Sequence, residues 1–145
     1  MDRYLYKAKR LYNGEWVTGS LITCEDGTCK IATSCLEGKA NEPILVCAYD
    51  MDRDTICQCT GLKDKNGNLI WENDVVKATV RQNSLCQSST YSDFYQVAYH
   101  KKNCYFYLKK KNNNLLFDGN WSYYLKTIEV IGNVFDNPEL LESEE

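Results

Sequence analysis

The sequence has 145 residues, of which 43% are hydrophobic and 26% are charged. This is an ordinary globular composition, and it excludes a chain that is disordered for want of apolar residues. At this length one domain, or two small lobes sharing a core, buries roughly 70% of the unfolded surface, so folding requires neither disulfides nor a metal. The formal net charge of −3 excludes a global positive field that would attract nucleic acid.

The N-terminus lacks the apolar run of a signal peptide, and no stretch of about 18 apolar residues is available to span a membrane. We therefore predict a soluble, cytoplasmic protein with no membrane partner. Its eight cysteines would suggest a disulfide framework in a secreted chain. In the reducing cytosol free thiols are favoured instead.

The first part of the chain alternates short apolar runs with turn residues, a pattern that predicts strands. A hairpin is expected near the N-terminus, because Asn13-Gly14 tolerates the positive φ values of a tight turn. The following region is interrupted by Gly, Asn and Pro, and predicts irregular strands and loops. The predicted strands of this part cover residues 4–11, 16–22, 31–32, 44–49 and 55–62.

Residues 60–76 combine a turn with two apolar strand signals. Asn66-Gly67 permits a left-handed turn, and Asp64 is placed to accept backbone N–H hydrogen bonds as the chain reverses. Strands are predicted at 69–71 and 74–80, with a tight bend at Glu72-Asn73. Large apolar side chains then anchor the sheet, each contributing roughly 1.5 to 3 kcal/mol when fully buried: Leu69, Ile70, Trp71, Val75 and Val76.

The C-terminal part continues the short-strand pattern. Residues 82–93 are polar and Ser-rich, and predict an exposed loop. Residues 94–100 and 104–109 predict a hairpin around Lys101-Lys102-Asn103, with Tyr95, Val97 and Tyr99 on one face by period-two alternation. The remaining signals predict strands at 115–117 and 128–134 and short helices at 121–124 and 138–144.

Short strands separated by polar turns predict a mainly β fold, β-rich α+β at most, with an antiparallel sheet curled into a small barrel or sandwich. We expect a single domain over 1–145. Its alternative division is an N-terminal β region at 1–55 and a barrel-like region at 56–141, with an acidic tail at 142–145.

Two segments resemble the YopX family of phage and prophage proteins. The family pattern is similar to Thr-Gly-Leu-x-Asp-x-x-Gly-x-x-Ile-aromatic-Glu-Gly-Asp-Ile-Val, and residues 130–141 resemble the end of the family's domain. Asn73 stands where the family usually has glycine, but asparagine is the non-glycine residue best suited to a left-handed turn. The pattern is matched at Thr60, Gly61, Leu62, Asp64, Gly67, Ile70, Trp71, Glu72 and Asp74.

The resemblance covers roughly residues 3–141. It implies a β-rich domain whose C-terminal half is an SH3-like barrel. It also implies a phage or prophage protein of unknown biochemical function, and it supplies no catalytic residues.

Clustered acidic residues in the signature offer one alternative. Asp64, Glu72 and Asp74 would suit a hard cation or acid–base chemistry. The chain has only one histidine, however, and no calcium-loop spacing fits, so we favour turn and core roles. His100 and Cys104 offer a nucleophile and a base, but nothing orients them, and a solvated turn histidine is favoured.

The cysteines offer a zinc site as another alternative, since tetrahedral zinc accepts thiolates from separate loops. The candidates are not arranged in short-spaced knuckles, so small buried residues are favoured. We therefore predict no catalytic, cofactor or metal site, and a protein that is not an enzyme. The cysteines considered for zinc are Cys24, Cys29, Cys35, Cys57 and Cys59.

The strongest binding signal lies between Tyr95 and Lys126. This segment contains six lysines and only one aspartate, and aromatic residues lie between the lysines. Exposed aromatics stack on single-stranded bases while ammonium groups neutralise phosphates. Against this, alternation buries about half of the aromatics, and lysines at hairpin turns also keep sheet edges from pairing. Within this basic hairpin of residues 99–111, the candidates are Lys101, Lys102, Tyr105, Tyr107, Lys109, Lys110 and Lys111.

We favour a non-enzymatic structural or protein-interaction module, with a nucleic-acid-binding accessory protein as the alternative. The 11 tyrosines and 3 tryptophans exceed what a small core must hold. Because aromatic residues are enriched at interfaces, we expect a protein partner or self-association into a homo-oligomer.

Overall fold

The structure, a computed structural model, describes residues 4–34, 46–83, 88–110 and 125–142. In these ranges the chain forms antiparallel β-strands and short 3₁₀ helices, with no α-helix. The mainly β, antiparallel fold predicted from the sequence is therefore confirmed. The chain divides into two compact units, Met1–Cys59 and Thr60–Glu145. The sequence had placed this division after residue 55.

The first unit is an antiparallel sheet whose strands pair in the order β4-β3-β2-β1-β5. Its buried cluster contains Ala8, Ile31 and Met51, with partly buried apolar side chains packed against it. A bridge between Arg10 and Met51 joins the ends of β1 and β4, so the sheet curls at this end. The strands are β1 Tyr6–Lys9, β2 Trp16–Thr23, β3 Cys29–Ser34, β4 Val46–Asp50 and β5 Cys57–Lys63, with a 3₁₀ helix at Arg53–Thr55 before β5.

The second unit begins within β5, which pairs there with β6, and contains a separate sheet of order β10-β7-β8-β9. The core of this unit is buried between Ile70, Val76, Tyr95, Leu108 and Ile128. The SH3-like barrel implied for this half stays a prediction. The strands are β6 Leu69–Trp71, β7 Asp74–Asn83, β8 Ser88–His100, β9 Tyr105–Lys109 and β10 Glu129–Asn133.

The two segments that carry the family resemblance meet in space. Strand β10 pairs with β7, and the Val134 N–H donates to the Asn73 carbonyl at 3.0 Å. Just before the C-terminal segment, the Ile128 carbonyl accepts a hydrogen bond from the Lys65 N–H at 2.9 Å. Because the 60–76 segment and the C-terminal segment share these bonds, they form one structural element.

The loop predicted at 82–93 is wrong. Strands β7 and β8 pair from Val75↔Gln96 to Asn83↔Ser88, so all of this segment except 84–87, which lies outside the described residues, is strand. Polar side chains are compatible with a two-stranded ribbon, because the backbone ladder supplies its bonds and cross-strand hydroxyl pairs add to it. Thr79 Oγ1 and Ser92 Oγ lie 3.0 Å apart in such a pair.

The structure can also be compared with three smaller predictions. The helix predicted at 138–144 is a 3₁₀ turn over Pro138–Leu141, whose preceding Asn137 makes no side-chain cap. Without a cap and with only a few residues, a longer α-helix is not nucleated. The predicted elements at 115–117 and 121–124 lie outside the described residues. No helix in the described part is long and apolar enough to cross a membrane.

Free thiols were predicted for the cysteines. This prediction is wrong for Cys47, which is disulfide-bonded. Its partner lies outside the described residues. The local sequence around a cysteine does not reveal which other cysteine the fold brings to it, so the pairing could not be predicted. Thiols remain at Cys24, Cys29, Cys57, Cys59 and Cys104.

Candidate binding surfaces

The basic hairpin is formed by β8 and β9, which pair in register from Gln96↔Lys109 to His100↔Tyr105. Side chains alternate between the two faces of the ribbon. Leu108 is buried in the core, and Phe106 packs against it. Tyr105, Tyr107 and Lys109 therefore lie on the opposite face.

On that opposite face three rings form an aromatic cluster of His100, Tyr105 and Tyr107. The His100 and Tyr105 rings are stacked, with centroids 5.2 Å apart and planes at 4°. Tyr107 meets both rings edge-on, at 6.1 Å from His100 and 6.2 Å from Tyr105. Such pairs fix each other's orientation, so the cluster presents ordered aromatic faces.

The candidate lysines separate into two groups. Lys101 and Lys102 are exposed in the turn, and Lys109 shares the face of the aromatic cluster. These three make no ion pair with any described residue. Lys110 instead forms an ion pair with Asp93 on the core face, its Nζ 6.0 Å from the centre of the Tyr95 ring. Lys111 lies outside the described residues.

The side chains of His100 and Cys104 both interact with backbone groups of the hairpin turn. His100 Nδ1 accepts a hydrogen bond from the Asn103 N–H at 3.2 Å, and the Cys104 thiol faces the Lys101 carbonyl at 3.6 Å. Each side chain thus has its own backbone partner in the turn. His100 lies at the end of β8 next to the turn and is partly exposed, with its ring stacked on that of Tyr105.

The carboxylates of Asp64 and Asp74 in the signature accept hydrogen bonds from backbone N–H groups. Asp64 Oδ1 accepts from the Asn66 and Asn68 N–H groups at 2.9 Å each, and Asp64 Oδ2 accepts from the Val130 N–H at 3.0 Å. Asp74 Oδ2 accepts from the Trp71 N–H at 2.8 Å. The predicted turn and core roles are confirmed for these two residues, while Glu72 is only partly buried.

The cysteines considered for zinc do not converge in the described structure. Cys57 and Cys59 are fully buried in β5, and Cys29 is buried at the start of β3. The Cys57 thiol faces the Thr55 carbonyl at 3.4 Å. Over the described residues no three His, Cys, Asp or Glu side chains are grouped to hold a metal ion; Cys35 lies outside them.

A second surface was missed from the sequence. The turn between β1 and β2 carries Leu11, 70% exposed, and Tyr12, 94% exposed. The turn itself was predicted: Gly14 has φ +71°, and its N–H donates to the Arg10 carbonyl at 2.8 Å. The signal that could have revealed the surface is the placement of two large apolar residues directly before Asn13-Gly14, where turns normally carry polar residues.

Leu11 and Asp50 line both of two grooves, whose volumes are about 380 and 490 Å³. The smaller groove is walled by Tyr12 and by Tyr49, over whose ring the Arg10 guanidinium lies at 4.2 Å. The larger has an apolar floor of Cys29 and Met51. We call Leu11, Tyr12 and these grooves the turn surface.

The turn surface has an acidic border. Asp50 is paired with Lys30 at 2.5 Å, and Arg10 with Glu15 at 3.6 Å. Asp26 accepts hydrogen bonds from the hydroxyl and the N–H of Thr28, which lower the pKa of its carboxyl. Over residues 10–15, 24–30 and 50–54, carboxylates outnumber cations. The excess is supplied by Glu25, Asp26, Asp52 and Asp54, against Arg53.

The chain is similar to known proteins in both sequence and structure. The family model described as YopX protein matches residues 5–142. The chain belongs to the YopX family. This YopX-family chain is also similar in structure to protein EF1440 from Enterococcus faecalis, whose crystal structure superimposes with a TM-score of 0.54. The two are 24% identical, and the match covers 94% of this chain and 96% of that one, which supports the fold alone. Among curated proteins no match is found.

Proposed function

We propose that this YopX-family chain is a non-enzymatic structural or protein-interaction module of phage type that works in the host cytoplasm. The proposal is carried by Leu11 and Tyr12, which expose a large apolar area. Leu11 lines both grooves and Tyr12 lines the smaller one. Burying that area on a partner releases free energy in proportion to the area removed from water. Tyrosine in particular serves as an interface anchor, because it combines a large apolar ring with a polar tip.

Site-specific photo-crosslinking in the host tests this function. A photo-reactive phenylalanine analogue in place of Tyr12 should give a discrete crosslinked protein, and adding Leu11→Ser should remove it. The matched control carries the analogue at Thr18, which is exposed on β2 of the same unit. Equal crosslinking at the two positions, or none at Tyr12, would contradict the proposal.

A second candidate function is binding of single-stranded nucleic acid, favoured by the aromatic cluster on the hairpin. Its rings offer faces on which bases stack, and Lys101, Lys102 and Lys109 lie beside them to neutralise phosphates. Lys110 is not part of this candidate site, because its ammonium group forms an ion pair with Asp93.

Gel-shift titration of single-stranded DNA at low salt separates this candidate from the first. Tyr105→Ala should weaken binding by roughly 1 to 3 kcal/mol, the cost of losing one stacked base. Lys109→Gln should weaken binding and lower the slope against log salt by about one. The neighbouring Lys110→Gln is the control and should bind as the wild type does. Unchanged DNA mobility at micromolar protein would remove the candidate.

A further inference from the structure

We propose that the turn surface of one copy binds the hairpin tip of a second copy, so that the chain assembles head to tail. The hairpin tip comprises residues 100–105 with Tyr107. This inference rests on the proposed interaction function and names the partner that the turn surface takes: another molecule of the same chain.

The apolar parts of the two surfaces are complementary in kind. The turn surface projects Leu11 and Tyr12 and provides grooves with an apolar floor. The hairpin tip presents the stacked rings of His100 and Tyr105 with Tyr107 beside them. Interfaces are typically built in this way, with aromatic residues in a buried centre and polar residues around the rim.

The charges at the two rims are opposite. Glu25 and Asp54 are exposed and lie within two residues of Gly27 and Arg53, which line the larger groove. Neither carboxylate has an ion-pair partner among the described residues. Lys101 and Lys102 are exposed at the hairpin tip and are likewise outside every described ion pair. Complementary potentials of this kind steer association and set its register, and they weaken as salt screens them.

The two surfaces belong to different parts of the chain, the first unit and the second unit. A contact between two different surfaces leaves one of each unused at the ends of every open assembly. Such heterologous contacts produce rings when the rotation closes and open chains when it does not. Head-to-tail growth therefore suits a protein with a structural role.

Light scattering of purified protein, with two charge-reversed variants, tests the inference. Wild-type mass should rise with protein concentration and fall toward the monomer at high salt. The tip variant Lys101→Glu/Lys102→Glu and the turn variant Glu25→Lys/Asp54→Lys should each remain monomeric, because each then presents like charges at both surfaces. Mixed in equal amounts, they should associate again, since each variant supplies the surface that the other needs.

A control reverses charge away from both surfaces. Lys63→Glu/Lys126→Glu changes the net charge as much as the tip variant does, at two exposed lysines, and should assemble as the wild type does. Circular dichroism confirms that each variant is folded. A monomeric wild type at every concentration, or a mixture that stays monomeric, would overturn the inference. If Tyr12 nevertheless crosslinks to a different protein, the interaction function stands and only the head-to-tail partner is wrong.

Discussion

Trp71→Ala should lower the free energy of unfolding by about 3 to 5 kcal/mol, the range for deleting a large buried aromatic side chain. Trp71 ends β6 and is only 8% exposed, as the sequence predicted. Its N–H donates to Asp74 Oδ2, so the residue also fixes the bend that leads into β7. Truncation removes the packed ring and leaves a cavity that the neighbouring strands fill only partly.

Urea unfolding followed by far-ultraviolet circular dichroism measures this effect. Trp16→Ala is the matched control, because Trp16 is only partly buried and its ring lies 5.1 Å from Lys7 Nζ and 5.4 Å from Lys9 Nζ. A surface cation–π contact contributes about 0.5 to 1 kcal/mol, so the control should be the milder change. Wild-type stability in Trp71→Ala would show that the indole is not a core contact.

The signature was predictable because its determinants are local. Gly67 has φ +85° and Asn73 has φ +66°, as the left-handed turn and bend require. The Asn73 side chain adds a bond that glycine cannot make, since its Oδ1 accepts from Gln96 Nε2 at 3.0 Å. Each of these features depends on a few neighbouring residues, so it could be predicted without knowledge of the tertiary fold.

What the sequence missed depends on register between distant residues. Lys109 and Lys110 are neighbours in a uniform basic run, yet one shares a face with Tyr105 and Tyr107 while the other pairs with Asp93. The stacking of His100 on Tyr105 likewise depends on which residues β8 and β9 bring opposite each other. Composition identifies a basic aromatic segment, but only the strand pairing separates its two faces.

Asp64→Asn should destabilise the protein by about 3 kcal/mol at neutral pH, because hydrogen bonds to a charged acceptor are stronger than neutral ones. Asp64 is buried and accepts three backbone N–H bonds, one of them from Val130 near the other end of the second unit's sequence. An asparagine at this position would turn an NH₂ donor toward one of these N–H donors. The substitution therefore removes both charge and acceptor capacity where the two family segments join.

The effect of Asp64→Asn should depend on pH. Burial acts to raise the pKa of Asp64, but the hydrogen bonds from Val130, Asn68 and Asn66 together outweigh it and hold the pKa below its ordinary value. A carboxyl with a depressed folded pKa contributes stability that is fully present above its unfolded pKa, about 3.9, and is lost as pH falls through the lower folded value. The unfolding free energies of wild type and Asp64→Asn should therefore converge in acid.

Denaturant unfolding from neutral pH down to and below the unfolded pKa of about 3.9 would follow this convergence, because the folded pKa of Asp64 is lower still. Asp26→Asn is the control: the pKa of Asp26 is also lowered, through bonds from Thr28, but its turn is exposed to water and the change should be small. A difference between wild type and Asp64→Asn that stayed constant with pH would mean that the substitution acts through shape alone. Convergence would instead show that the ionised Asp64 carboxylate holds the signature turn to the C-terminal segment.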